Sequence, residues 1–373
     1  MITMNVLLLS SRFPWPPFTG DRGRATIWLA ALAREANVAL VSPDGEIPSS
    51  APRVRFHPAK RSLMRGVAGL FRGTPVHALL AAPYDWPDAI ERARNDVGEF
   101  NATIVLLSRL DPWVRASLPN GLRVLDAIDS LRLSMDERAR ETSPLLRWFW
   151  RAESRRVARA EEDAARAYDR VVAVDADEAA ELGGVAISNG VAIAPLGDAP
   201  RTFDFGFWGR LAYFANLDAA TWLLGEIWPA IRAQRPNATL MIAGADAPAR
   251  LRAFDGRDGI TVQSPVDDIA ALARSIKVAL FPVRFGTGQS NKVLEAAEGG
   301  CAIVATAKAM RSLDPLARHA FLADSAQELA RAAITAIGEE PAKALRAIVE
   351  TTYARQDTLD RLAALLHQSE YAA

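Results

Sequence analysis
The sequence predicts an α/β protein built on two doubly wound parallel sheets. Three observations lead there. Strand-like and helix-like segments alternate along the whole chain, the pattern of parallel sheets covered by helices on both faces. The alternation restarts with a fresh strand after the turn-rich SNGVAIAPLGDAPRT at 188–202. At 373 residues the chain is long enough for two domains. Expected boundaries are 1–195 and 196–353, with 354–373 a terminal helix that returns to the first domain. Two Rossmann-like domains facing each other would put a cleft at the carboxyl ends of both sheets.

The first strand is expected over 5–10, around the apolar run Val6 to Leu9. No charged region precedes that run, and Arg12 and a proline cluster follow at once, so it reads as a buried strand and not a signal peptide. Further strands are expected over 38–42, 103–108, Leu122–Ile128 and 170–174, and helices over 22–35, Trp86–Val97 and 143–168. The second half opens with a strand at Phe203–Trp208. No apolar run approaches the ~20 residues that span a bilayer. Composition is ordinary for a soluble protein, 50% hydrophobic and 24% charged. A net charge of +0 gives no argument for nucleic acid. The single cysteine, Cys301, excludes an intrachain disulfide and fits a reducing cytoplasm.

The most informative stretch is VALFPVRFGTGQSNKVLEAAEGGCAIVAT at 278–306, which reads strand, glycine loop, helix, strand. Gly286 and Gly288 open the loop to backbone angles closed to other residues. A helix follows over 290–298, with Gln289 or Ser290 near its cap, Val293, Leu294 and Ala297 facing the core, and Gly299-Gly300 ending it. Such a unit aims free N–H groups at an anion. Arg284 before the loop and Lys292 in the first turn supply cations, and Glu295 one turn on can accept both hydroxyls of a ribose. These features together suggest a nucleotide site; an ordinary βαβ unit with packing glycines fits them too.

Elsewhere, the loop SRFPWPPFTGDRGR at 11–24 offers Gly20, Arg22 and Arg24 to a phosphate, or is a proline-rich turn with solvated arginines. Asp126, Asp129 and Ser130 sit at a strand's end, where Asp126 or Asp129 can orient a hydroxyl; helix capping by Asp129 or Ser130 is the alternative. Asp21 is a similar candidate. The histidines His57, His77, His319 and His367 are scattered, so no Ser-His-Asp set can be argued, and no metal-ligand spacing appears. Asp267-Asp268 reads as a helix N-cap. The window 47–84 carries no acidic residue before Tyr84 and mixes Arg53, Arg55, Lys60, Arg61, Arg65 and Arg72 with Leu63, Met64, Val67, Leu70 and Phe71. LLRWFWRAESRRVAR at 145–159 adds aromatics and arginines. Both suit contact with an anionic membrane surface, or core helices with solvated arginine faces.

KVLEAAEGGCAIVAT resembles the donor-site signature of family-four glycosyltransferases, which have the GT-B fold. FGFWGRLAYFANLDAATWLLGEIWPAI (205–231), ATLMIAGADAPARL (238–251) and ITVQSPVDDIAALARSIKVALFPVR (260–284) are similar to the first strand and helix, the second strand and the base-recognition loop of that family's nucleotide domain. Asn189-Gly190-Val191 resembles the segment before the hinge in such chains. Pro16-Pro17, Gly20-Asp21 and Arg24, with Asn216 and Asp218-Ala219, are similar to bacterial exopolysaccharide-type sugar transferases. The resemblance implies transfer of a sugar from a UDP- or GDP-sugar to an acceptor hydroxyl, with retention and without a metal or further cofactor. It implies donor contacts from Gly20, Arg24, Gly209, Arg210, Asn216, Val266, Arg284, Gly286, Thr287, Gly288, Gln289, Ser290, Asn291, Lys292 and Glu295. Asp21, Asp126, Asp129 and Arg210 are its catalytic candidates. Two positions depart from the pattern: Asn216 stands where the family has a second cation, and Thr287 where it has the first of two glutamates. Arg284 and Lys292 are the expected replacements for that cation. Expected partners are a saccharide or lipid-linked acceptor and the inner membrane face, not nucleic acid. A nucleotide-sugar 2-epimerase or phosphorylase on the same fold, or a GT-B protein that binds nucleotide without turnover, are the alternatives.

Overall fold
The computed structural model describes residues 4–17, 19–62, 74–141, 144–197, 200–286, 288–338 and 342–367. Contacts divide the chain into two units, one running to Ser188 and resuming at Thr358, the other Asn189–Asp357.

The first unit is a seven-stranded parallel sheet in the order β3-β2-β1-β4-β5-β6-β7. Its strands are β1 Met4–Ser10, β2 Ala36–Ser42, β3 Arg55–Pro58, β4 Ala102–Leu106, β5 Leu122–Ile128, β6 Arg170–Ala173 and β7 Val185–Ala186. Val6 through Leu9 are all fully buried, because helices cover both faces of a central parallel strand. Leu8 pairs with Leu40 on one side and Ile104 on the other. The principal helices are α1 Gly20–Leu32, α2 Trp86–Val97, α3 Leu131–Glu141 and α4 Pro144–Ala167. Neither edge strand was anticipated from the sequence. β3 is short, half-exposed and ends in Pro58, and β7 has only two residues, so neither carries a buried apolar run.

The second unit is a six-stranded parallel sheet in the order β10-β9-β8-β11-β12-β13. These are β8 Phe203–Trp208, β9 Leu240–Ala243, β10 Ile260–Gln263, β11 Ile276–Phe281, β12 Ala302–Ala305 and β13 Phe321–Leu322. Phe205, Phe207, Trp208, Trp228 and Phe281 fill its core. The helices that matter to the site are α5 Phe214–Trp222 and α6 Asn291–Glu298. The last helix, α7 Arg355–Ala364, straddles the division at Asp357/Thr358. Its Leu362, with Leu365 just beyond, lies in the first unit's core beside Val6, Leu8 and Trp28.

Strand order reverses direction between β1 and β4 in the first sheet, and between β8 and β11 in the second. Ligands of open α/β sheets bind beyond the carboxyl ends of the strands at such points.

Candidate donor site
The loops that follow β8 and β11 meet at the second sheet's switch point. β8 is followed by Gly209, whose φ of 149° suits glycine, and a Cβ there would come 2.9 Å from the Asn216 amide nitrogen. After β9, Gly244 lies so close that a Cβ would meet the Gly209 carbonyl oxygen at 1.8 Å. The two loops can therefore run side by side only as bare backbone.

Asn216, in the first turn of α5, ties this corner together. Its amide donates to the Arg210 carbonyl at 3.0 Å and its oxygen accepts from Lys292 Nζ at 2.5 Å. The Lys292 ammonium also lies over the rings of Phe207 and Phe281, 5.2 and 5.9 Å from their centroids. Burial pulls its pKa down to about 8, against the opposing pull of Glu295. Glu295, one turn further along α6, accepts from the Trp208 indole at 2.8 Å. Burial raises its pKa, while that hydrogen bond and the charges of Lys292 and Arg355 act the other way. Among the described residues its Oε1 has no hydrogen bond, which leaves one carboxylate oxygen for a ligand.

The glycine loop has the backbone expected of it, with φ of 119° at Gly286 and 75° at Gly288. Thr287 lies outside the described residues. Ser290 is the N-cap of α6 but makes no capping bond, and among the described residues its buried Oγ has no partner. Asn291 accepts from Asn189, and Gln289 donates to the Ser312 carbonyl at 3.4 Å. Val266 packs half-buried against the second core. Arg210 pairs with Asp246 at 2.8 Å and stays 45% exposed, so its guanidinium is free to exchange that partner for a ligand.

Arg284 is used otherwise than expected. It grips Asp218 with two bonds of 2.9 and 2.6 Å and stacks 4.7 Å over Trp222, which ties the loop to the flank of α5. Lys292, and not Arg284, meets Asn216 at the position where the family's cation is missing.

In the first unit, two expected ligand contacts turn inward. Arg24 and Asp126 are both fully buried and pair at 2.6 Å. Asp126 also accepts from Trp28 at 2.6 Å and from the Ile128 amide at 2.9 Å, so its lone pairs serve the fold and not a substrate. Periodicity along α1 places position 24 on the core face, but a charge there argues for solvent until its partner across the sheet is known. Gly20 stands exposed at the start of α1 with open space where a side chain would be. Asp21 is held by two arginines, Arg109 at 3.2 Å and Arg12 at 3.4 Å. Asp129, at the end of β5, is only partly buried, yet desolvation and the charges of Glu178, Asp126 and Asp175 push its pKa up to about 8. Nearby Glu161 accepts from the Leu131 and Arg132 amides, and burial pushes it up to about 7.

Sequence reasoning missed Trp208, Arg355 and Arg109. Trp208 directly precedes Gly209-Arg210 and Arg109 follows β4, so position at a strand's end was the available signal for both. Nothing local marks Arg355, whose charge reaches Glu295 from the start of α7.

Residues 202–339 match the family described as glycosyl transferases group 1. That match lies within the second unit, and the chain as a whole has a GT-B fold. Among solved structures, the chain is similar to sucrose-phosphate synthase from Thermosynechococcus elongatus, with a TM-score of 0.74 and 16% identity over 99% of this chain and 100% of that one. HepE of Anabaena, in complex with UDP-glucose, superposes with a TM-score of 0.67 at 15% identity, over 98% and 99%. A UDP-forming α,α-trehalose-phosphate synthase from Burkholderia xenovorans gives 0.65 at 13% identity, over 99% and 100%. No curated protein sequence matches the chain. Family-four membership and an exopolysaccharide role remain with the sequence resemblance. Among the described residues, no helix is long and apolar enough to cross a membrane.

Proposed function
We propose that the chain transfers a sugar from a UDP-sugar to an acceptor hydroxyl, with retention of configuration and without a metal ion. One observation carries the reading: a half-buried lysine and a half-buried glutamate one turn apart on α6, fixed by Asn216 and Trp208, at the switch point of a sheet inside a group 1 glycosyltransferase domain. Lys292, Arg210 and the amides of α6 would stabilise the diphosphate as it departs, the task a divalent ion performs elsewhere. Glu295 Oε1 would take the ribose hydroxyls. UDP is the favoured nucleotide because the HepE structure holds UDP-glucose and the trehalose-phosphate synthase is UDP-forming. In a retaining reaction of this kind the leaving phosphate accepts the acceptor's proton, which fits a first unit whose Asp126 is engaged and whose Asp129 is protonated near neutrality. Asp129 is then a hydrogen-bonding guide for the acceptor and not a base.

The test is UDP release from a panel of UDP-sugars with EDTA present. Turnover that survives EDTA and falls by orders of magnitude in Arg210→Ala supports the reading. An absolute requirement for Mg²⁺ or Mn²⁺ refutes the metal-independent mechanism.

A peripheral membrane contact is a second reading, favoured by the N-terminal half of α4. There Leu146 and Trp148 are 53% and 70% exposed, and Arg147, Trp148, Arg151, Ala152 and Arg155 line a shallow groove. The residues first expected to make that contact, including Leu63, Arg65, Val67, Phe71 and Arg72, lie outside the described residues. Co-sedimentation with anionic but not neutral vesicles, lost in Trp148→Ala, is the expected result.

A further inference from the structure
The carboxylate of Glu295 is oriented by a single neutral donor. Among the described residues its side chain receives one hydrogen bond, from the Trp208 indole to Oε2 at 2.8 Å. Trp208 closes β8 and is 1% exposed. Its backbone stands in register with Ala243 of β9, and its ring meets Phe281 of β11 edge-on, centroids 5.1 Å apart. A ring anchored in this way cannot follow a moving carboxylate, so the carboxylate is held to the ring. Lys292, one turn back on α6, does not share the task. Its ammonium goes to Asn216 and over the rings of Phe207 and Phe281.

A neutral N–H has two consequences that a cation would not. It fixes the carboxylate without cancelling the charge, which stays available to strengthen a bond from a ligand hydroxyl. It also divides the two oxygens between fold and ligand. Indole only donates, so Oε2 is committed to Trp208 and Oε1 alone is left. One carboxylate oxygen carries two lone-pair sites, enough for the 2′ and 3′ hydroxyls of one ribose to converge on it. A glutamate already locked in rotamer loses less freedom when the nucleotide arrives. A site arranged to accept hydroxyls also discriminates strongly against a ligand that lacks them.

We propose that Trp208 is a positioning residue that sets the site's preference for ribonucleotides: by engaging Oε2 of Glu295 it presents Oε1 as the one acceptor for both ribose hydroxyls. This rests on Glu295 binding the ribose of the donor. Trp208 itself touches no substrate and acts through Glu295.

UDP and 2′,3′-dideoxyuridine 5′-diphosphate are titrated calorimetrically into the full chain and into Trp208→Phe, which keeps a ring and deletes the N–H. The wild type should prefer UDP by about tenfold or more. Trp208→Phe should weaken UDP roughly tenfold, the scale of a charge-assisted hydrogen bond, and leave the dideoxy compound within about twofold. In a Glu295→Ala background the same substitution should change UDP binding by less than about twofold, since no carboxylate remains to be positioned. The indole bond favours the charged form of Glu295, so its removal should also make the loss of UDP affinity in acid begin at a higher pH than in the wild type. A cavity that merely loosened the core would weaken both nucleotides alike, persist in the Glu295→Ala background and leave the acid limb in place; any of these overturns the proposal, as does unchanged UDP affinity in folded Trp208→Phe. Circular dichroism checks the fold. Should Trp208→Phe not fold, the indole N–H resonance that Glu295→Gln shifts is followed in the wild type: it should stay protected from exchange with UDP bound, and loss of that protection on binding overturns the proposal. Glu295→Ala binding UDP as tightly as the wild type would overturn the ribose reading and this inference with it, whereas a weakened Glu295→Ala beside an unaffected Trp208→Phe overturns this inference alone.

Discussion
Donor affinity should depend on pH through one lysine. Burial lowers the Lys292 pKa to about 8, because its ammonium has Asn216 and two aromatic rings for company and little water. A diphosphate binds the charged form. In the free protein about nine-tenths of Lys292 is charged one unit below that pKa, and about one-tenth one unit above it. Affinity for UDP should therefore fall roughly tenfold from pH 7 to pH 9, about 1.4 kcal/mol. Isothermal calorimetry across that range measures it. Lys292→Arg carries a charge that does not titrate there, so its profile should be flat apart from any titration of the nucleotide itself, which both proteins share. Lys292→Gln should bind weakly at every pH. Equal slopes for the wild type and Lys292→Arg would refute the reasoning, since the titrating group would then not be Lys292.

Other consequences are testable in the same preparations. Glu295→Ala should weaken UDP binding by about 1.5–3 kcal/mol, the scale of a charge-assisted hydrogen bond; unchanged affinity in a folded variant would sink the ribose assignment. Gly244→Ala should lower the thermal midpoint, because its Cβ would lie 1.8 Å from the Gly209 carbonyl at a φ of 139°, a backbone strain of about 1–3 kcal/mol before the clash is counted. Asp129 has a folded pKa of about 8, above the ordinary 3.8, so the fold holds a proton that the unfolded chain gives up. Its stabilising contribution is complete below the unfolded value and is lost as pH rises through 8. Asp129→Asn should accordingly gain stability relative to wild type between pH 5.5 and pH 8.5 in paired thermal melts; a difference that does not change with pH would count against the raised pKa.

Much of this architecture is legible in the sequence, for a physical reason. Central parallel strands are buried on both faces, so Val6–Leu9 in β1 and Val278–Phe281 in β11 appear as continuous apolar runs. The edge strands β3 and β7 leave no such trace. At the site, Lys292 and Glu295 could be placed because one helix carries both. What could not be read were choices made across the sheet. Arg24 looks the same in sequence whether it meets a phosphate or Asp126, and Arg284 whether it faces a ligand or Asp218. Trp208 as the partner of Glu295 depends on two loops distant in sequence arriving at one place.

The pair of Arg24 and Asp126 has a consequence for how this chain can change. Removing one member strands the other as an isolated charge under α1, a loss of about 3–5 kcal/mol, while replacing both together with well-packed apolar side chains can be neutral or favourable. The positions are 102 residues apart, yet they are one mutational locus. A library that varies them singly samples only destabilised neighbours of the parent. Recombination with a breakpoint between them is viable only when the incoming fragment carries its own matching half. Trp28 joins the same linkage group through its indole bond to Asp126, so an apolar swap must also leave that N–H with an acceptor.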